Sequence, residues 1–74
     1  VLLSELKKGD KAVIKKINAS GAFKNRLSSM GIVEKESVKL TEYSLAKSTM
    51  EIEVAESHVA LRFQEARLIE VEKR

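Results

Sequence analysis

Seventy-four residues allow one small domain, and the absence of cysteine excludes a disulfide framework or a thiolate metal site as a supplement to its core. A hydrophobic content of 43% argues against disorder, and no run approaches the roughly 18 apolar residues of a membrane-spanning helix. The net charge of +3 is unevenly placed: residues 1–39 hold nine Lys/Arg against four Asp/Glu, and residues 40–74 hold five against seven. The opening Val-Leu-Leu-Ser is too short an apolar run for a secretory signal and has no basic leader, so a cytoplasmic location is expected.

In chain order, Ser4 is placed to cap a single turn, S-E-L-K-K, before a turn at Gly9-Asp10. The β-branched residues of K-A-V-I-K-K-I then predict a strand with Val13 and Ile17 on one face. Asn18 to Gly21 makes a loop, with Ser20 as helix N-cap. Phe23, Leu27 and Met30 fall at i, i+4 and i+7, one apolar stripe of a short helix. Gly31 suits the left-handed position after it, which makes Leu27 and Ile32 the pair expected to touch across a Schellman cap.

Glu34 to Glu36 is turn-like, and V-K-L alternates with Val38 and Leu40 inward. Tyr43 breaks that parity, which predicts a bulge or a strand end. Ser44 to Thr49 reads as a connection. Met50, Ile52 and Val54 alternate with Glu51, Glu53 and Ala55, the clearest strand in the chain. After a polar turn at Glu56-Ser57, a strand runs to about Leu61, followed by a helical turn near Gln64 to Arg67 and a last strand with Ile69 and Val71 inward. The expected architecture is mainly β: a small barrel of about five strands, with one short inserted α-helix and a helical turn before the last strand. A barrel would remove the exposed edges of an open sheet.

Candidate chemistry is sparse. There is no phosphate-binding glycine loop, and His58, the single histidine, has Ser57 beside it but no third member for nucleophilic catalysis. No enzyme and no cofactor are therefore expected. Glu51, Glu53 and His58 are candidates for a divalent cation, although the outer face of an amphipathic strand is the preferred account of them and no metal site is expected. Lys7, Lys8, Lys11, Lys15 and Lys16 form a basic cluster that raises nucleic-acid binding as an alternative. Against it, Phe23 and Phe63 read as core, which leaves Tyr43 alone for base stacking. Three aromatic residues also cannot line a groove for proline-rich peptides.

L-S-E-L-K-K-G-D at the start, A-F-K-N-R-L-S-S-M-G-I-V in the middle, V-K-L after it and V-A-L-R-F-Q-E-A-R-L-I-E-V at the end together resemble the ferrous iron transport protein A (FeoA) family from Leu3 to about Val71. The resemblance implies one SH3-like β-barrel domain over residues 1–74, cytoplasmic and not membrane-embedded. Its implied role is that of an accessory factor contacting the cytosolic GTPase region of the FeoB iron transporter. Lys24, Asn25 and Ser28, with Arg26 at the margin, are the candidate partner-binding residues, because Phe23, Leu27 and Met30 face the core. A barrel this small with apolar strands could also form a weak homo-oligomer. The same barrel resembles the C-terminal module of iron-dependent repressors, an alternative role. The chain departs from the family where Pro-Gly is usual, at Glu34-Lys35, in a Pro/Gly-rich loop at Ser44 to Thr49, and in a glycine near Glu56-Ser57.

Overall fold

A computed structural model describes residues 1–44 and 48–74. A 3₁₀ turn, Leu3–Glu5, leads into β1 (Lys11–Ile17), α1 (Gly21–Ser29), β2 (Ser37–Tyr43), β3 (Thr49–Val54), β4 (Ser57–Arg62), α2 (Phe63–Ala66) and β5 (Ile69–Lys73). The strands form one antiparallel sheet in the order β4-β3-β2-β1-β5. All five contribute to a single core, with Ile14, Leu40, Ile52, Leu61 and Ile69 among its fully buried side chains. The β2–β3 connection expected over Ser44 to Thr49 has its middle, residues 45–47, outside the described residues.

Two bulges set which residues face inward. In β1, Ile14 pairs with Val71 and Lys16 with Glu70, so Lys15 is the extra residue. The bulge reverses the alternation, and the buried positions are Ala12, Ile14 and Ile17. The period-two expectation of a Val13–Ile17 face is therefore corrected, since it held only for an unbroken strand. In β2, Leu40 pairs with Ile52 and Glu42 with Glu51, leaving Thr41 extra. That shift brings Tyr43 inward, as its broken parity indicated. The Tyr43 hydroxyl donates to the carbonyls of Leu6 and Ser4 and so ties β2 to the 3₁₀ segment. Burial, with the nearby Asp10 charge, raises the Tyr43 phenol above its ordinary pKa.

Ser4 does not cap the first turn. The turn starts two residues earlier than a Ser4 cap requires, at Leu3 with Leu2 as N-cap, and Ser4 is itself buried. Its capping acceptor is the Glu5 carboxylate, 2.6 Å from the Leu2 amide. The Gly9-Asp10 turn forms as expected. Gly9 sits at φ +91°, and the Lys7 amide donates to the Asp10 carboxylate at 2.8 Å. This amide, with Lys73 helping, holds Asp10 below its usual pKa against a smaller desolvation effect.

The sheet does not remove its edges by closing β4 onto β5. The outer edge of β5 is instead covered by the N-terminus, where Leu2 bridges Glu70 and the Val71 amide donates to the Val1 carbonyl. The outer edge of β4 pairs with no strand among the described residues. No helix of these residues is long and apolar enough to cross a membrane.

Candidate functional site

Helix α1 begins after Ser20, which has the extended backbone of an N-cap but makes no side-chain capping bond. Its end is more strongly specified. The Ile32 amide donates to the Leu27 carbonyl at 2.9 Å and the Gly31 amide to the Ser28 carbonyl at 3.0 Å, the two bonds of a Schellman motif. Gly31 supplies the left-handed residue at φ +88°. Leu27 is fully buried, while Phe23 and Met30 are half-buried and pack against the core. The apolar stripe thus docks the helix and leaves Lys24, Asn25 and Ser28 exposed on the other side.

Arg26 is exposed but already engaged. Its guanidinium donates to the Glu65 carboxylate of α2 at 2.7 Å and lies 5.2 Å from the centroid of the Phe23 ring. It is therefore part of the joint between the two helices, unlike Lys24, Asn25 and Ser28. The helical spacing could not reveal this, because Glu65 is 39 residues away in sequence. Glu65 also accepts from the Arg62 amide at 3.0 Å. Desolvation pushes the Glu65 carboxyl up, but the Arg62 amide and the Arg26 guanidinium together outweigh it and hold the group below the usual range.

Glu51, Glu53 and His58 are brought together on the exposed face of the β3–β4 hairpin, where Glu53 stands directly opposite His58. The imidazole lies between the two carboxylates, with Nδ1 3.6 Å from Glu51 and Nε2 3.6 Å from Glu53. Because the carboxylates face opposite ring nitrogens, the three groups do not converge on one point. Among the described residues no three such side chains are arranged to hold a metal ion.

The basic cluster is dispersed by the topology. β1 lies between β2 and β5, so the acidic second half of the chain is interleaved with the basic first half. Lys8 pairs with Glu42 at 3.2 Å, Lys15 with Glu72 at 3.3 Å, and Lys73 with Asp10 at 3.3 Å. The Lys8 ammonium, helped by the Tyr43 amide, holds Glu42 below its ordinary pKa. Two of the five lysines of the cluster, Lys8 and Lys15, are thus partly neutralised by carboxylates, which weakens the attraction for phosphate at those positions. Of the aromatic residues, Phe63 is half-buried and tilts against Tyr43 with centroids 6.3 Å apart.

One feature escaped the sequence reading. A groove of about 640 Å³ lies beside β4, with Met30 and Ala60 as apolar lining, Arg26, Arg62 and Glu65 as charged lining, and Thr49 of β3 at its margin.

Comparison with known proteins gives a consistent picture. The family model described as "FeoA domain" matches residues 1–73. The putative Fe(2+) transport protein A of Campylobacter jejuni is 44% identical over 69 residues, 93% of either chain. A Fe(2+) transport protein A/Fe(2+) transporter FeoB fusion protein of Porphyromonas gingivalis is 33% identical over 95% of this chain, which spans 8% of that protein's length. Among solved structures, zinc-complexed FeoA of Stenotrophomonas maltophilia, described as an SH3 domain protein, superposes with a TM-score of 0.84. It is 28% identical, with 97% of this chain and 89% of that one covered. A manganese-dependent transcriptional repressor, 41% of which is covered, superposes at 0.89 with 17% identity, a likeness of fold alone. With the family model spanning nearly every residue and a full-length relative at 44% identity, this SH3-like chain belongs to the FeoA domain family.

Proposed function

We propose that this chain is a non-enzymatic accessory domain for ferrous iron uptake, working in the cytoplasm by contact with the cytosolic GTPase region of a FeoB-type transporter. The observation that carries this reading is the Porphyromonas gingivalis protein, in which a relative of this domain is fused to FeoB. Fusion makes an encounter intramolecular, at an effective concentration reaching the millimolar range with a short linker, so an interface that works when fused can be weak when separate.

The surface that fits this role is the outer side of α1. Lys24, Asn25 and Ser28 are exposed, and the Schellman cap and buried Leu27 hold them on a fixed scaffold. A small polar and cationic patch of this kind contributes mainly orientation and rate of encounter with an acidic partner surface.

The test is titration of the purified cytosolic FeoB region into this protein, read by calorimetry or amide chemical shifts. Binding is expected, weakened several-fold by Lys24→Glu with thermal stability retained. Lys24 is the right probe, because reversing Arg26 would also disrupt its contact with Glu65. No binding at the highest attainable concentration would remove the FeoB assignment, and binding indifferent to Lys24, Asn25 and Ser28 substitutions would remove the surface.

A further inference from the structure

The groove between β4 and α1 combines three properties that the outer face of α1 lacks. The first is an open sheet edge. β3 and β4 are joined by a two-residue loop, Ala55-Glu56, with Val54 opposite Ser57 as the closing pair. Ladder bonds alternate from that pair, so Ser57, Val59 and Leu61 bond to β3 and His58, Ala60 and Arg62 point their backbone groups away. Two bonds outside the ladder agree with this parity. The Phe63 amide donates to Ser48 on the β3 side, at 2.9 Å, and the Arg62 amide turns outward to the Glu65 carboxylate. Glu65 thus closes the edge at Arg62, and the outward N–H and C=O of Ala60 have no protein partner among the described residues.

The second property is charge. Arg26 and Arg62 both line the groove, Arg67 flanks the far side of Arg62, and Glu65 is the single carboxylate lining it. Glu65 engages one terminal nitrogen of Arg26, and the Arg62 guanidinium has no ion pair among the described residues. The third is shape. Half-buried Met30 and the small Ala60 side chain leave a channel whose far wall is α1. The positive lining also favours an acidic occupant over a second copy of this domain, because pairing β4 with β4 would bring two sets of the same arginines together.

We propose that this groove takes an extended acidic peptide segment of a protein partner, which pairs with Ala60 as an added strand and sets its carboxylates against Arg62 and Arg26. Strand addition draws affinity from main-chain bonds and specificity from alternate side chains. Here the alternate side chains are acidic, and the arginine forks suit carboxylates. The inference does not depend on which protein supplies the segment, and it stands or falls separately from contact through Lys24, Asn25 and Ser28.

The experiment uses the whole chain and two probe peptides, acetyl-Glu-Val-Glu-Val-Glu-amide and its Lys-Val-Lys-Val-Lys counterpart, with amide chemical shifts followed by NMR. The acidic peptide is expected to shift Ala60, Arg62 and Met30 saturably, with a Kd of about 1 mM or below, as suits a short unconstrained strand. The lysine peptide is expected to leave them in place. Ala60→Pro removes the outward amide without touching a β3 ladder bond and should weaken binding about tenfold or more. Arg62→Gln keeps the backbone intact and should weaken it several-fold, which guards against misfolding of the proline variant. No shift with the acidic peptide, equal binding of the lysine peptide, or wild-type affinity in Arg62→Gln would overturn the proposal. So would shifts at Ala60 that follow protein concentration without peptide, the mark of self-association.

Discussion

The Ile32 amide sits 2.9 Å from the Leu27 carbonyl, and both side chains are completely buried. One hydrogen bond therefore ends α1 and also delivers the next buried residue into the core. The hinge of this arrangement is Gly31 at φ +88°. A Cβ there would lie 3.4 Å from the Ala55 Cβ, close to ordinary contact, so the obstacle to a side chain is chiefly conformational. Gly31→Ala is expected to destabilise the domain by about 1–2 kcal/mol, the cost of a left-handed non-glycine residue. Leu27→Ala should cost more, about 3 kcal/mol, through the cavity it leaves. Urea unfolding of the two variants checks both magnitudes. A smaller effect for Leu27→Ala than for Gly31→Ala would mean that the cap, not the packing, holds the helix.

Two of the three expected departures from the family pattern, at Glu34-Lys35 and near Glu56-Ser57, coincide with backbone strain. Lys35 adopts φ +73° in the turn where the Glu36 amide donates to Val33 at 3.2 Å, and Ala55 and Glu56 adopt φ +50° and +66° between β3 and β4. Two left-handed residues in a two-residue loop are the requirement of a type I′ turn, which Asn-Gly meets without strain. The β3–β4 turn is therefore Ala55-Glu56, one residue earlier than the polar Glu56-Ser57 dipeptide suggests. Lys35→Gly and the paired change Ala55→Asn/Glu56→Gly are each expected to stabilise the domain. The relief of about 1–2 kcal/mol per left-handed residue exceeds the 0.4–1 kcal/mol entropic cost of glycine in the unfolded chain. A raised urea midpoint with an unchanged slope is the expected result. A lowered midpoint would show that the side chains removed were making contacts worth more than the strain.

What could be read from the residues follows from the range of the interactions. The helix, its cap, the Met50-Ile52-Val54 face and the helical turn before β5 depend on spacings within a few residues, and they were legible. Tyr43 also signalled its bulge, since its apolar ring interrupts a visible alternation. Lys15 gave no such sign. The sequence around it alternates acceptably in either register, and only pairing with Glu70 and Val71 shows which holds. Arg26 was legible as a surface residue but not as a partner of Glu65. The groove was hidden for a related reason: it depends on which strand is left at the sheet's edge. The mainly β, SH3-like architecture was legible, but not that β4 keeps an outer edge, at His58 and Ala60, that pairs with no strand among the described residues.

Glu65 gives the clearest dependence on pH. Its folded pKa lies below its ordinary value because the Arg62 amide and the Arg26 guanidinium together overcome partial desolvation. A carboxylate with a depressed folded pKa adds stability that is fully present above its unfolded value. That stability is lost as pH falls through the folded value. Asp10 and Glu42 are shifted in the same direction, so the domain as a whole should weaken below about pH 4. Glu65 differs from those two in making the contacts that join α1 to α2. Glu65→Gln keeps the shape but loses the charge, and the side-chain pair with Arg26 is half exposed on the arginine side. The expected cost near neutral pH is therefore about 1 kcal/mol, nearer a screened pair than a buried one. Below the folded pKa the wild type has also lost that charge, so the stability curves of the two proteins should converge as pH falls. Measuring urea midpoints between neutral pH and about pH 3 tests this directly. A difference that stayed constant across the range would place the contribution of Glu65 in its packing and its Arg62 amide bond, not in its charge.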